Sequence, residues 1–467
     1  MSGLISSLYT GQSGLAVNEV GIEVSGNNVA NVNTAGYSRQ VAQISSIPSL
    51  EFNGTFVGQG ASVSGISRTE STLVTSQLVS KSSDYGEATA QTEPLASLES
   101  IVGLSEGNLS SAIDDFFDAW QALSSNPGER VEREEVLQMG EQLADTFVQM
   151  DQDLADLQEG INQTIASEVD TLNSQLTQIA DLNTQIVTME AGGVAANGLR
   201  DERDLLLQEI AGTAGIQYYE MDNGAVSVQL ASGVPLVIAG DSFTIATERG
   251  DGKIQLSVAT GASAVAIDND DLGGTLKGLM TVRDETVEEA RAQLDQLAWQ
   301  FAESVNAVHS SGVDLDGNSG IQFFSLAGSS DPDTPWAGAA SSITLTLTDS
   351  DQVAAGTLTG SNTQSGDNTN TLLMTALQDT ASMGGSATFQ DYYNQIAAGI
   401  GTTVSRNSAA AEASEDALVQ LQNLRDSISG VSVDEEMVLL TQYQSGYEAA
   451  AKYLSVVQDM LDTLMAL

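Results

Sequence analysis

Hydrophobic positions at the start of the chain recur every seven residues. Met1, Leu8, Leu15, Ile22 and Val29 form one line, and Leu4, Gly11, Asn18, Ser25 and Val32 form a weaker one beside it. A seven-residue repeat keeps one narrow stripe of an α-helix facing a partner, so the spacing predicts a helix with a coiled-coil seam. From this segment alone, an ordinary amphipathic helix packed on its own domain fits equally well. The end of the chain repeats the pattern more cleanly: Val433, Leu440, Tyr447, Leu454 and Leu461 hold one seam, and Tyr443, Ala450, Val457 and Leu464 hold the other. Ser432 with Glu435 fits a capping box and Gly430 fits the stop of a preceding helix, so a fresh helix is predicted from about Ser432 onwards. The simplest way to bury two such stripes is to pair them, although almost the whole sequence lies between them. Two narrow stripes bury too little surface to stand alone in water, so neighbours have to supply further contacts, most economically other copies.

Between the ends, helical periodicity dominates from about Glu87 to Glu190, with Ile113, Phe116, Phe117, Trp120 and Leu123 in one cluster and Pro127 as a break. From Leu154 through Leu172 to Ile186 one face stays apolar, which predicts a helix of roughly 55 to 60 residues and about 85 Å, ended by Gly192 and Gly193. From Ile216 to Ile267 short alternating runs separated by Gly and Asp predict a small β domain. Helix is predicted again from Leu276 to about His309, a strand-like run from Ile343 to Leu358, and helix from Asn370 onwards. A heptad frame through Tyr393, Ile400, Leu421 and Ile428 has a small or polar middle at Asn407, Ala410, Ser414 and Ala417, which reads as bundle packing.

The expected fold class is therefore mainly α: N- and C-terminal helices paired as a coiled coil, an elongated helical-bundle rod, and a small β-rich inserted outer domain. The expected boundaries are 1–45 plus 430–467 for the inner coiled coil, 46–215 plus 271–322 plus 362–429 for the rod, and 216–270 plus 323–361 for the outer insertions.

Composition narrows the function. The chain has 467 residues and is 41% hydrophobic, enough for buried cores, but only 5% aromatic, which favours long helices and thin layers. A formal charge of -48, from 63 acidic against 15 basic side chains, argues against binding nucleic acid or an anionic membrane surface. The same self-repulsion keeps free subunits soluble, and salt should promote their assembly by screening. With no cysteine there is neither a disulfide nor a thiolate site. No Lys or Arg precedes Arg39, the apolar core of a secretory signal is missing, and no stretch approaches membrane-span length. If the protein leaves the cell, it is thus expected to use a route that does not read such a signal.

Candidate chemistry is sparse. His309, the only histidine, follows Trp299, Phe301, Val305 and Val308 at a predicted helix end, where it suits capping better than catalysis. A lone histidine without a GxSxG elbow supports no hydrolase, and zinc sites needing several His or Cys ligands are excluded by count. The run Asp314 to Gly320 resembles the opening of a calcium loop but lacks the later bidentate Glu, so an Asx turn is the simpler reading. Arg200, Asp201, Arg203 and Asp204 concentrate both charges in a basic-poor chain and are expected to lock their helix to a neighbour. No catalytic residue, cofactor or metal is expected.

The segment Asn27 to Gln40, NNVANVNTAGYSRQ, resembles the signature of flagellar rod, hook and hook-associated proteins, carried by Asn31, Asn33, Gly36, Tyr37 and Arg39. NGLRDERDLLLQEIAG from Asn197, the stretch Gly273 to Gly320, GDNTNTLLMTAL from Gly366 and SGVSVDEEMVLLTQYQSGYEAAAKYLSVVQDML from Ser429 narrow the resemblance to the hook-associated protein 1 family. The resemblance implies a non-enzymatic secreted subunit of the extracellular flagellum, exported through the type III channel and placed in a ring between hook and filament. It implies as partners neighbouring copies, hook protein, the second junction protein and an export chaperone on the C-terminal helix. The expected assembly interface comprises Leu4, Leu8, Leu15, Ile22, Val29, Asn31, Asn33, Gly36, Tyr37 and Arg39 with Val433, Leu440, Tyr443, Tyr447, Leu454, Val457, Leu461 and Leu464. The short strand-rich insertions depart from the family pattern. Another flagellar axial protein, a wall hydrolase fused to an axial scaffold, and a secreted surface adhesin stand as alternatives.

Overall fold

The computed structural model describes residues 2–52, 55–103, 108–250, 252–260, 263–329, 331–357 and 366–465. Met1, expected at the head of the first seam, and Leu358, expected at the end of the strand-like run, lie outside the described residues. The fold is mainly α with small antiparallel inserts. Helix α1 (Ser2–Ala30) opens the chain and packs along α11 (Val433–Met465), which closes it.

After α1 the chain turns into a β-hairpin arm, where the sequence led us to expect the helical rod to begin. β1 (Gln40–Ser46) pairs antiparallel with β4 (Ala61–Arg68), and β2 (Leu50–Phe52) with β3 (Thr55–Val57) nearer the tip. The physical reason is local: Val41, Ile44, Phe56, Val57, Val63 and Ile66 are strand formers, punctuated by Pro48, Gly58, Gly60 and Gly65, with no 3.6-residue repeat. The arm lies along α1, with the Ala61 N–H donating to Ser13 Oγ at 3.4 Å.

The rod is built from α2 (Thr72–Val102), α3 (Leu109–Ser125), α4 (Arg130–Ala191), α5 (Asn197–Ala214), α6 (Gly274–Thr281), α7 (Val287–Ser311), the single turn α8 (Ala339–Ser342), α9 (Thr369–Ala376) and α10 (Phe389–Ser429). α4 has 62 residues, which makes it about 93 Å long. Pro127 separates it from α3, and Gly193, at φ +80°, lies just past its end. Pro94 sits inside α2, where periodicity gives no warning of it. α2 packs on α10, α5 and α6. Its approach to α5 is backbone on backbone: a Cβ on Gly86 would lie 2.0 Å from the Gly212 carbonyl oxygen. Among the described residues no helix is long and apolar enough to cross a membrane.

The rod's core gathers seven of the ten phenylalanines of the chain, with Trp120. Phe116, Phe117, Trp120, Phe147, Phe301, Phe323, Phe324 and Phe389 are all fully buried. Phe301 meets Phe389 edge-on at 5.0 Å and Phe116 at 5.4 Å between ring centroids. Phe323 and Phe324 come from the segment 323–361 that sequence patterning assigned to an outer insertion. Among the described residues of that segment, regular structure is limited to the single turn α8, a 3-10 turn at Ser350–Gln352, the pair β13 (Phe324–Ser325) with β14 (Thr344–Leu345), and β15 (Gly356–Thr357), which pairs with β12 (Gly312–Val313) from outside it. Ile343, Leu347 and Val353 are buried too, so apolar side chains that suggested a strand fill the rod instead.

His309 pins these pieces together. Its Nδ1 lies 2.9 Å from the Ile321 carbonyl oxygen, and its Nε2 accepts from the Ala354 N–H at 3.0 Å. That is a neutral imidazole with Nδ1–H donating, and burial lowers its pKa from the usual 6.5 to about 4. Between those values the unfolded chain takes up a proton that the folded chain refuses. The contribution of His309 to stability is therefore full above pH 6.5 and is lost as pH drops towards 4, by about 3 kcal/mol. In denaturant titrations His309→Gln is expected to flatten the stability curve across that window relative to wild type; an unchanged slope would contradict the assignment. The Asp314 side chain accepts from the Asn318 N–H at 2.7 Å, forming a hydrogen-bonded turn.

The inserted sheets are antiparallel. One holds β5 (Ile216–Glu220), β6 (Val226–Leu230), β7 (Pro235–Ile238) and β8 (Asp241–Ser242) in sequence order; the other holds β9 (Ile245–Gly250), β10 (Lys253–Thr260) and β11 (Ser263–Ile267) with β10 central. Three asparagines on one side of α4 clamp them. Asn183 Oδ1 accepts from the Val226 N–H at 2.9 Å while its Nδ2 donates to the Val226 and Ala239 carbonyls; Asn173 pairs with both backbone groups of Ile245; Asn162 accepts from the Ile254 N–H. Each amide thus acts as a short piece of strand edge presented by a helix. Asn183→Ala is expected to cost about 1 to 3 kcal/mol, because it strands buried groups on Val226, and hydrogen exchange should rise first at β6 and β7.

Candidate assembly interface

Helices α1 and α11 run antiparallel. Gly11 faces Leu454, Gly14 faces Ala450, Asn18 faces Gly446 and Gly21 faces Tyr443. The contact line of α1 is a groove of small residues rather than a leucine seam. A Cβ on Gly21 would lie 2.6 Å from Tyr443 Cδ1, and one on Gly446 would lie 2.3 Å from Asn18 Oδ1. Gly11, Gly21, Ser25 and Asn28 are buried along it. Leu4, Leu8, Leu15, Ile22 and Val29 flank the groove and stay half-buried. On α11, Leu440, Tyr443, Leu454 and Leu461 are half-buried and Val457 is buried, whereas Val433, Tyr447 and Leu464 are exposed. The stronger of the two lines read in α1 therefore lies beside the helix contact and the weaker one in it. Gly14 and Gly21, which with Gly11 and Ser25 complete the run of small residues, were the signal that a seven-residue repeat passed over.

The signature segment folds into a corner joining this helix pair to the rod. Asn28 is its hub: Oδ1 accepts from Tyr37 Oη at 2.8 Å and the Gln40 N–H at 2.9 Å, while Nδ2 donates to the Gln40 carbonyl. Gly36, at φ +79°, turns the chain over α5, where a Cβ would touch Leu205 at 3.4 Å, and its carbonyl accepts from Arg425 Nη2 at 2.6 Å. The Arg39 N–H donates to the Ser429 carbonyl, and its guanidinium meets the buried Glu436 at 2.7 Å. Asn31 is held locally by Asn27 and Thr34, and Asn33 is exposed. Of the signature residues, then, Gly36, Tyr37 and Arg39 are engaged within the chain.

Electrostatics tighten the corner. Arg68, at the root of the hairpin arm, meets Glu70 at 2.6 Å, Asp204 at 2.7 Å and Asp201 at 3.0 Å, and Asp201 also accepts from the Ser38 N–H. Burial opposes the charge on Arg68, but Asp204 and Glu70 beside it, with hydrogen bonds to Asp201 and Asp204, offset this and raise its pKa. One guanidinium divided among three carboxylates cannot compensate all of them, so burial leaves Asp204 and Glu70 above the usual carboxylate range. Burial, then Asp201 and Glu436, push the Tyr37 hydroxyl up to about 12. Arg200 pairs with Glu190 and Glu220, and Arg203 Nη1 donates to Asn183 and the Gly224 carbonyl. The charged patch on α5 thus ties the rod to the arm, to the end of α4 and to the first inserted sheet. Arg68, Arg425 and Glu436 were missed in the sequence because Asp201, Gly36 and Arg39, which they meet, lie far away along the chain; Asn28, nine residues from Tyr37, was missed because only the folded corner brings the two together.

Residues 95–324 match the family described as flagellar hook-associated protein FlgK helical domain. Residues 8–37 match that of the flagella basal body rod protein, and 425–467 the flagellar basal body rod FlgEFG protein C-terminal family. The flagellar hook-associated protein 1 of Salmonella typhimurium is 27% identical over an alignment spanning 100% of both chains. Its Bacillus subtilis counterpart is 26% identical, covering 100% of this chain and 98% of that one. The solved structure of the flagellar hook junction protein FlgK from Burkholderia pseudomallei superposes with a TM-score of 0.69 at 18% identity, covering 76% of this chain and 100% of that one, a likeness of fold.

Proposed function

We infer that this chain, which belongs to the flagellar hook-associated protein 1 family, is a structural adaptor subunit of the bacterial flagellum, assembling with further copies of itself between hook and filament. Its contacts in that place are its own copies, hook protein on one side and the second junction protein on the other. It travels there through the flagellar type III channel, with an export chaperone holding α11 before assembly. The inner unit is 1–45 with 430–467, and the interface residues are those on the flanks of the α1–α11 pair together with the signature corner.

The observation that carries this reading is the α1–α11 pair itself. It brings the two ends of the chain together yet leaves Ile5, Tyr9, Met437, Val438, Tyr453, Val456 and Met460 exposed. A two-helix hairpin with that much apolar surface in water is complete only among neighbours. Deleting the gene is expected to leave cells with bare hooks that shed filament protein into the medium; cells that keep their filaments would overturn the assignment. Leu454→Asp with Leu461→Asp is expected to abolish incorporation into the junction.

A further inference from the structure

Between Gln40 and Ser67 the hairpin arm carries a single charge, Glu51, on a strongly acidic molecule. Glu19, Glu23, Arg39 and Glu51 are the only charged side chains before Arg68, in a chain carrying 63 acidic and 15 basic residues. Val41, Ile44, Phe56 and Val57 stand exposed along the arm, Phe56 at 72%. Among the described residues β1 pairs with β4 alone, so each of these strands has an open edge. Apolar side chains beside an unpaired edge form a ready contact surface.

Helix α11 offers the matching surface. Val438, Gln442, Ser445, Ala449, Tyr453, Val456 and Met460 share one exposed face, about 33 Å long and without a charge. Two identical chains of charge -48 repel wherever acidic surfaces meet, so contact between copies is least costly where neither surface is charged. Contact of one arm with another arm would be isologous and would close at a dimer. An arm lying on α11 is heterologous and propagates into a ring or helix. We propose that the hairpin at residues 40–68 is an intersubunit arm that docks on the exposed α11 face of a second copy of this chain. This rests on the self-assembly reading given above.

The absence of cysteine makes the test direct. Cells co-expressing Phe56→Cys and Val456→Cys copies would supply hook–filament particles for crosslinking with a short bismaleimide. The expected product joins one copy of each variant, and Phe56→Cys should lose its maleimide labelling on passing from soluble chain to particle. Crosslinking of Phe56→Cys only to itself, or equal labelling in both states, would overturn the proposal. Ile44→Asp with Phe56→Asp should leave thermal unfolding of the soluble chain unchanged while incorporation is lost; normal incorporation would also refute the arm. Absence of the wild-type chain from the particles would instead sink the adaptor reading, and the arm with it.

Discussion

Replacing Gly21 with leucine is expected to abolish filament retention while leaving the rod folded. A side chain at that position collides with Tyr443, whose Cγ, Cδ1 and Cε1 would all lie within 2.7 Å of the new Cβ. The ring cannot retreat without lifting α11 off α1 at the centre of their contact, and the neighbouring pair is no more forgiving. Asn18, opposite Gly446, is held by its own hydrogen bond to the Gly14 carbonyl at 2.6 Å. The rod core, centred on Phe301 and Trp120, is formed by other helices, so thermal unfolding of the soluble protein should change little. Swimming in soft agar and filament protein in the medium read the loss. Gly26→Ala is the control, because a Cβ there meets nothing within 4 Å. A motile Gly21→Leu strain would show that close approach of the two helices is dispensable.

Arg68→Ala is expected to destabilise the folded chain by about 3 to 5 kcal/mol, the usual result of removing one partner from a buried ionic cluster. The side chains of Arg68 and Asp201 are both 7% exposed, so the Asp201 carboxylate left behind has little access to water, while Asp204 and Glu70 are partly buried. The direction with pH is fixed by the raised pKa values of Asp204 and Glu70. A carboxyl whose folded pKa exceeds its unfolded one favours the fold while protonated and loses that contribution as pH rises through the folded value. The defect of Arg68→Ala should therefore be worst at neutral pH and shrink as pH falls through the carboxylate range. Urea titrations of mutant and wild type at several pH values test this. A defect independent of pH would mean that Arg68 acts through packing alone. Because Arg68, Asp201 and Ser38 join the arm to α5, limited proteolysis should cut first between 30 and 72 in the mutant.

The same corner shows what sequence patterning captures and where it stops. The α4 helix was legible because Leu154 to Ile186 repeat on one face and because Pro127 and Gly193 punctuate it; both are local signals. The inserted sheets were legible from alternation and turn residues. The hairpin arm was not, since its alternation is diluted by Ser, Gln and Gly and only one of its faces rests on α1. Segment 323–357 misled for the opposite reason: Ile343, Leu347 and Val353 look like strand residues, yet they are spent filling a core assembled from α3, α4 and α7.

What the sequence determined by itself is the helical character of both ends, the approximate length of the rod helix, the position of the first inserted sheets, and, through the signature at Asn27 to Gln40, a resemblance to flagellar axial proteins. Periodicity and turn chemistry act over a few residues, so they survive without coordinates. Only the tertiary structure decided which side of α1 meets α11. That choice follows from how close two backbones can come, and Gly21 against Tyr443 wins over the bulkier Leu15 and Ile22, which are left on the flank. It also decided that Gly36, Tyr37 and Arg39 serve an internal corner, because Asp201, Arg425 and Glu436 reach it only once distant helices have packed.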